Sequence, residues 1–124
     1  MRKPFLTLLI VAALGLPPAL AQDGAAPFDG ELLRMSEILG SLHYLRGICG
    51  NNEGNKWRSE MQALVDAETP SGERRARMIA AFNRGYNGFQ QTYRSCTPAA
   101  NTAIRRHVEE GARISRDLTA RYAN

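Results

Sequence analysis

The sequence predicts an all-α protein: a compact irregular four-helix bundle stapled by one disulfide and preceded by a signal peptide. Three observations predict it. Apolar residues recur at helical spacing in four stretches separated by Gly, Pro, Asn, Ser and Thr. Strand-like alternation survives nowhere for long after the N-terminal segment. The chain holds two cysteines, Cys49 and Cys96, and no others.

Met1-Arg2-Lys3-Pro4 is a basic start, Phe5 to Leu16 an apolar run, and Ala19-Leu20-Ala21 a small-residue cleavage site after Pro17-Pro18. The apolar run is shorter than the ~20 residues that cross a bilayer. Residues 1–21 therefore read as a cleaved signal, with an uncleaved N-terminal anchor as the alternative. No membrane span is expected after cleavage, and about 100 residues remain, enough for one modest core. Residues 22–28 read as a flexible leader, and 29–124 as the helical domain.

The first helix is expected from about Glu31 to Ile48, with Asp29 as its N-cap and Gly50 as its stop. Leu32, Met35, Leu39, Leu42 and Cys49 form its apolar stripe, widened by Ile38 and Leu45. A polar turn, residues 50–55, leads to a second helix from Lys56 to Glu68, with Asn55 capping it and Trp57, Met61, Leu64 and Val65 inward. Thr69-Pro70-Ser71-Gly72 breaks the chain. The third helix is expected from Glu73 to Ser95, with Met78, Phe82, Phe89, Tyr93 and Cys96 on one stripe, flanked by Ile79 and Tyr86. Thr97-Pro98 is a cap followed by a first-turn proline. It opens a fourth helix running to Tyr122, with Ala100, Ile104, His107, Val108, Ile114, Leu118 and Tyr122 inward. Gly85 and Gly111 on apolar stripes suggest close approach of the third and fourth helices. Arg106–Glu110, Glu109–Arg113, Arg113–Asp117 and Asp117–Arg121 are spaced as a solvated ion ladder.

In an oxidising compartment an even cysteine pair reads as a disulfide, whereas a zinc site needs more ligands at closer spacing. Each cysteine ends an odd-numbered helix, and in an up-down-up-down bundle those ends share a pole.

The formal charge of +4 includes Arg2 and Lys3 of the signal, and the remaining charges mix in sign along the helices. That pattern lacks the basic stripe with interleaved aromatics of a nucleic-acid binder, so no nucleic-acid partner is expected. After cleavage Lys56 is the one lysine left among arginines. This bias suits an anionic envelope partner through the guanidinium fork, and it equally suits codon bias with surface ion pairs.

Arg46 falls between Leu42 and Cys49 on the stripe expected to be buried. It reads either as a carboxylate- or phosphate-reading group or as a structural arginine paired with Glu68 or loop carbonyls. His43 and His107 are the histidines, and neither belongs to a Cys-x-x-Cys-His, His-Glu-x-x-His or paired Glu-x-x-His pattern. Met35 with His107 as a haem pair competes with plain core packing. No Gly-x-Ser-x-Gly elbow is present. Glu37 with Glu68 is an unspecific carboxylate pair, and Glu with His43 the best available acid–base pair. No cofactor, metal or catalytic residue is expected.

Several segments together resemble a known family: Glu37-Ile38-Leu39-Gly40, His43-Tyr44-Leu45-Arg46-Gly47-Ile48-Cys49-Gly50, Trp57-Arg58 with Met61, Phe82-Asn83-Arg84-Gly85-Tyr86, and Tyr93 with Cys96. Glu110-Gly111 and Arg121-Tyr122 extend the set. The chain resembles the small exported alphaproteobacterial conserved-hypothetical family, a domain of unknown function. The resemblance implies export, the Cys49–Cys96 pair and a Gram-negative envelope setting, and implies no catalytic residue. The expectation is a non-enzymatic periplasmic protein that binds an envelope protein or anionic envelope component, in wall growth or division. The candidate binding residues are Glu37, His43, Tyr44, Arg46, Trp57, Arg58, Asn83, Arg84 and Tyr86. The alternative is a small periplasmic hydrolase or ligand-binding protein using Glu37, His43 and Arg46.

Overall fold

The computed structural model describes residues 27–50, 53–68 and 72–122. Residues 1–26, which hold the expected signal peptide and most of the expected leader, lie outside the described residues, as do Asn51, Asn52 and the segment 69–71. Four helices follow in chain order: α1 (Asp29–Ile48), α2 (Lys56–Glu68), α3 (Gly72–Thr92) and α4 (Pro98–Tyr122). No strand occurs among the described residues.

The helices run up, down, up, down around α1. Asp29 pairs with Arg74 where α1 and α3 begin, and Cys49 bonds Cys96 beyond where both end, so these two helices are parallel. Glu31 reaches Arg121 while Arg34 reaches Glu110, so α4 runs back along α1. All three other helices pack on α1, α2 meets α3 only marginally, and α3 and α4 nowhere approach closely backbone to backbone. The bundle is irregular because α1 is its hub.

That position explains a helix buried on more than one stripe. Ser36, Gly40 and Ser41 are buried beside Leu32, Ile38, Leu39, Leu42 and Leu45. The two hydroxyls remain satisfied without a tertiary partner, because Ser36 donates to the Leu32 carbonyl (2.8 Å) and Ser41 to the Glu37 carbonyl (2.9 Å). One core lies between α1 and α4, formed by Ile38, Leu42, Leu45, Ala100, Ile104 and Ile114. The other gathers Leu39 of α1 with Met61 and Val65 of α2 and Met78 and Phe82 of α3. Full burial of each of the larger side chains, from valine to phenylalanine, contributes roughly 1.5–3 kcal/mol.

Gly40 and Gly85 let α1 and α3 touch. A Cβ on Gly40 would lie 1.9 Å from the Phe82 carbonyl oxygen, and one on Gly85 2.0 Å from that of Glu37. The sequence suggested that Gly85 and Gly111 bring the third and fourth helices together; both face α1 instead, Gly111 against Ile38 and Met35.

The helix ends follow local chemistry with a few departures. Gly50 stops α1 with a φ of 79°. Thr97 caps α4, its Oγ1 accepting the Ala100 N–H at 3.1 Å. Asp29 does not cap α1: the helix begins at Asp29, Phe28 holds the cap position, and the Phe28 carbonyl accepts the Leu32 N–H. The Asp29 carboxylate is drawn to Arg74. Helix α3 ends at Thr92, short of the expected Ser95, and the following residues carry Cys96 across to Cys49. Cys96 is exposed rather than on an apolar stripe. Val108, expected inward, is 45% exposed, and the Tyr122 side chain lies outside the described residues.

Candidate functional site

Because α2 and α3 barely meet, a groove remains between them. This groove, about 200 Å³, is lined by Arg58, Met61, Gln62 and Val65 of α2 and Ile79, Phe82 and Asn83 of α3. A second hollow, about 270 Å³, is lined by His43, Tyr44, Gly47 and Ile48 of α1, Gly54 of the loop and Tyr86 of α3. Helical spacing places His43 and Gly47 one turn apart on α1, and the small Gly47 leaves the hollow open. The His43 ring lies 5.8 Å from the Phe82 ring and 5.5 Å from Tyr86, linking the hollow to the groove. Tyr86 meets Tyr44 edge-on at 5.4 Å. The Tyr44 hydroxyl donates to the Tyr93 carbonyl. His43 is held below its ordinary pKa, first by burial and then by the charge of Arg58. Its Nδ1 is buried with no hydrogen-bond partner among the described residues. Five of the nine candidate residues thus meet here: His43, Tyr44, Arg58, Asn83 and Tyr86.

The other four hold the fold together around it. Arg46 is neither core-buried nor paired with Glu68; it forks onto Glu53 with two contacts of 2.8 Å. Trp57 donates its indole N–H to the same carboxylate at 3.2 Å. This cluster ties the loop to both α1 and α2. The Arg46 hydrogen bonds and charge hold the Glu53 carboxyl down at about 2. Glu37 belongs to a surface clasp, between Arg34 (3.1 Å) and Arg84 (3.5 Å), and Arg34 also grips Glu110 of α4 at 2.7 and 2.8 Å. Glu37, His43 and Arg46 therefore sit in three separate environments: a clasp, a hollow and a loop tether.

A family model described as "Protein of unknown function (DUF2385)" matches residues 27–122. The chain belongs to this family. The match takes in all four helices, so the resemblance read from the motifs holds at the level of an uncharacterised domain family. No curated protein and no solved structure matches the chain.

Two features of this member of the family were not legible in its sequence. The ion ladder expected along α4 does not form: none of its four pairs closes to within 4 Å, since Glu110 is taken by Arg34 and Arg121 by Glu31. A cleft of about 450 Å³ also opens between the end of α3 and the start of α4, lined by Phe89, Tyr93, Thr102, Arg106 and His107 among others. Phe89 and Tyr93 pack against the α1–α4 core as their stripe predicts, but they and His107 are only half-buried, because periodicity marks an inward face without saying how much of it a neighbour covers. His107 bonds the Ala103 carbonyl through Nδ1 at 2.7 Å, and Met35 packs against both cores. Among the described residues no group of three His, Cys, Asp or Glu is placed to hold a metal, and no helix is long and apolar enough to cross a membrane.

The tether predicts a pH dependence. Glu53 has a folded pKa of about 2 against an ordinary 4.5, so the folded state binds fewer protons than the unfolded chain in that interval. Its stabilisation is complete above pH 4.5 and is lost as pH falls towards 2. The lowered His43 acts with the same sign, its contribution complete above 6.5 and declining below. Melting temperature should therefore fall on acidification, and Glu53→Gln should flatten the curve between pH 4.5 and 2. An unchanged slope in that variant would remove Glu53 as its source.

Proposed function

We propose that this chain is a non-enzymatic periplasmic protein whose α2–α3 groove binds a partner of the cell envelope, within machinery for wall growth or division. The observation that carries the reading is the composition of the groove. An apolar floor of Met61, Val65 and Phe82 with the 40% exposed Ile79 is bordered by Arg58, Gln62 and Asn83, with His43 against Phe82 behind it. Recognition surfaces combine apolar anchors with a polar rim in this way. The export signal and a disulfide suited to an oxidising compartment support the periplasmic setting. The dispersal of Glu37, His43 and Arg46 weighs against the hydrolase alternative, which needs them in one place.

The test is capture from periplasmic extract with the tagged exported chain, compared with two groove variants. An envelope protein should be recovered by wild type and by Arg116→Glu on the exposed face of α4. Arg58→Glu and Ile79→Asp should each lose it while keeping the wild-type helical circular-dichroism spectrum. Recovery of nothing above background, or equal recovery by all four chains, defeats the reading.

A further inference from the structure

We infer that the cleft between α3 and α4 is a second binding site, one that takes the C-terminal residue of a peptide through its carboxylate, its N–H and an apolar side chain. The cleft is separate from the α2–α3 groove and shares no lining residue with it. Its volume of about 450 Å³ falls within the range of small-ligand sites, about 300–1,000 Å³.

The charge in the cleft is uncompensated. Arg106 lines it, is exposed and makes no ion pair within 4 Å among the described residues. Glu110, four residues on and the natural helical partner for Arg106, is clasped on both oxygens by Arg34. None of the lining residues is acidic: they are Phe89, Tyr93, Ala99, Thr102, Ala103, Arg106 and His107. A guanidinium in that position is a two-pronged donor for an incoming carboxylate.

The remaining groups fit the rest of a peptide terminus. The Phe89 and Tyr93 rings lie nearly parallel, 10° apart with centroids at 6.1 Å, and both are only half-buried, so an apolar side chain has an aromatic wall to cover. His107 stands edge-on to Phe89 at 5.1 Å. A carbonyl only accepts hydrogen bonds, so the contact with Ala103 makes Nδ1 the protonated nitrogen of the neutral ring. Nε2 of that tautomer is a lone pair with no hydrogen bond among the described residues, matched to an N–H donor. A carboxylate, an N–H and a side chain on one carbon describe the last residue of a peptide chain.

The experiment is an NMR titration of the ¹⁵N-labelled exported chain with three probes. N-acetyl-phenylalanine carries all three groups, N-acetyl-phenylalaninamide lacks the carboxylate, and 3-phenylpropionate lacks the N–H. N-acetyl-phenylalanine should give saturable shifts centred on Phe89, Thr102, Ala103 and His107. The amide, and Arg106→Gln titrated with the acid, should each bind at least about tenfold more weakly, as expected for a lost charge-assisted pair. Phenylpropionate should bind more weakly than N-acetyl-phenylalanine, and Arg58→Glu should leave binding unchanged, keeping this site distinguishable from the groove. The proposal is overturned by no saturable shifts, by equal binding of acid and amide, by wild-type affinity in Arg106→Gln, or by shifts centred on the α2–α3 groove. An acid and a phenylpropionate of equal affinity overturn the role given to His107 and the peptide assignment with it.

Discussion

Gly85→Ala is expected to destabilise the fold by about 3 kcal/mol, the upper part of the range for overpacking a close interface. For a domain of this size that corresponds to a melting temperature lowered by about 15 °C. The added methyl would meet the Glu37 carbonyl oxygen at 2.0 Å and the Ser41 hydroxyl at 2.7 Å. A backbone carbonyl cannot swing aside as a flexible side-chain end does, so α1 and α3 must separate. Gly40→Ala meets the Phe82 carbonyl oxygen at 1.9 Å and should cost a similar amount. Both substitutions open the same seam, so the double variant should lose less than the sum of the two. Gly88→Ala is the internal control. Nothing lies within 4 Å of its added Cβ, and the better helix propensity of alanine should raise stability by up to ~1 kcal/mol. Thermal denaturation of the four variants decides the matter, and a Gly85→Ala protein melting within a few degrees of wild type would show that α1 and α3 do not pack this closely.

That seam marks where sequence reasoning reached its limit. Helix existence, the stop at Gly50 and the Thr97 cap were legible because each is decided by neighbours within one turn. Burial on most of α1 was legible only in part. Its apolar stripe showed, but Ser36, Gly40 and Ser41 are buried by the convergence of three helices on it, and no period within α1 announces that. The same limit assigned Gly85 to the wrong neighbour and gave Arg46 the wrong acid. The sequence suggested Glu68 or loop carbonyls, whereas the turn brings Glu53 into bidentate reach. On α4 a ladder of favourable spacings gave way to longer-range partners on α1, since an exposed i,i+4 pair is worth only about 0.3–0.5 kcal/mol and yields readily to a forked one. For the groove, motif residues from the first, second and third helices converged as a group, while the cleft was hidden because Phe89 and Tyr93 cover the core with one side and line the cleft with the other.

The disulfide should have the largest single effect. Cys49 and Cys96 are bonded with a sequence separation of 47, and the bond joins the end of α1 to the connection between α3 and α4. Closing a loop of that length removes roughly 4 kcal/mol of unfolded-state entropy on the chain model. A domain of about 100 residues commonly has only 5–15 kcal/mol of net stability, so reduction removes a large fraction of it. The topology adds a specific consequence. Helix α4 packs on α1 but stays clear of the α3 backbone, so at the pole where the chain turns from α3 into α4 this bond is the covalent tie to α1. Cys49→Ser is expected to lower the melting temperature by about 20 °C. Cys49→Ser/Cys96→Ser should be no worse than either single variant, because the first substitution already breaks the bond and the second only removes a free thiol. Hydrogen exchange should show the loss first in the connection 93–97 and the first turn of α4, while the α1–α3 seam stays protected until global unfolding. A reduced protein that melts with the oxidised one would leave the bond without its stabilising role, and mass spectrometry of the non-reduced protein that finds both thiols free would remove the bond itself.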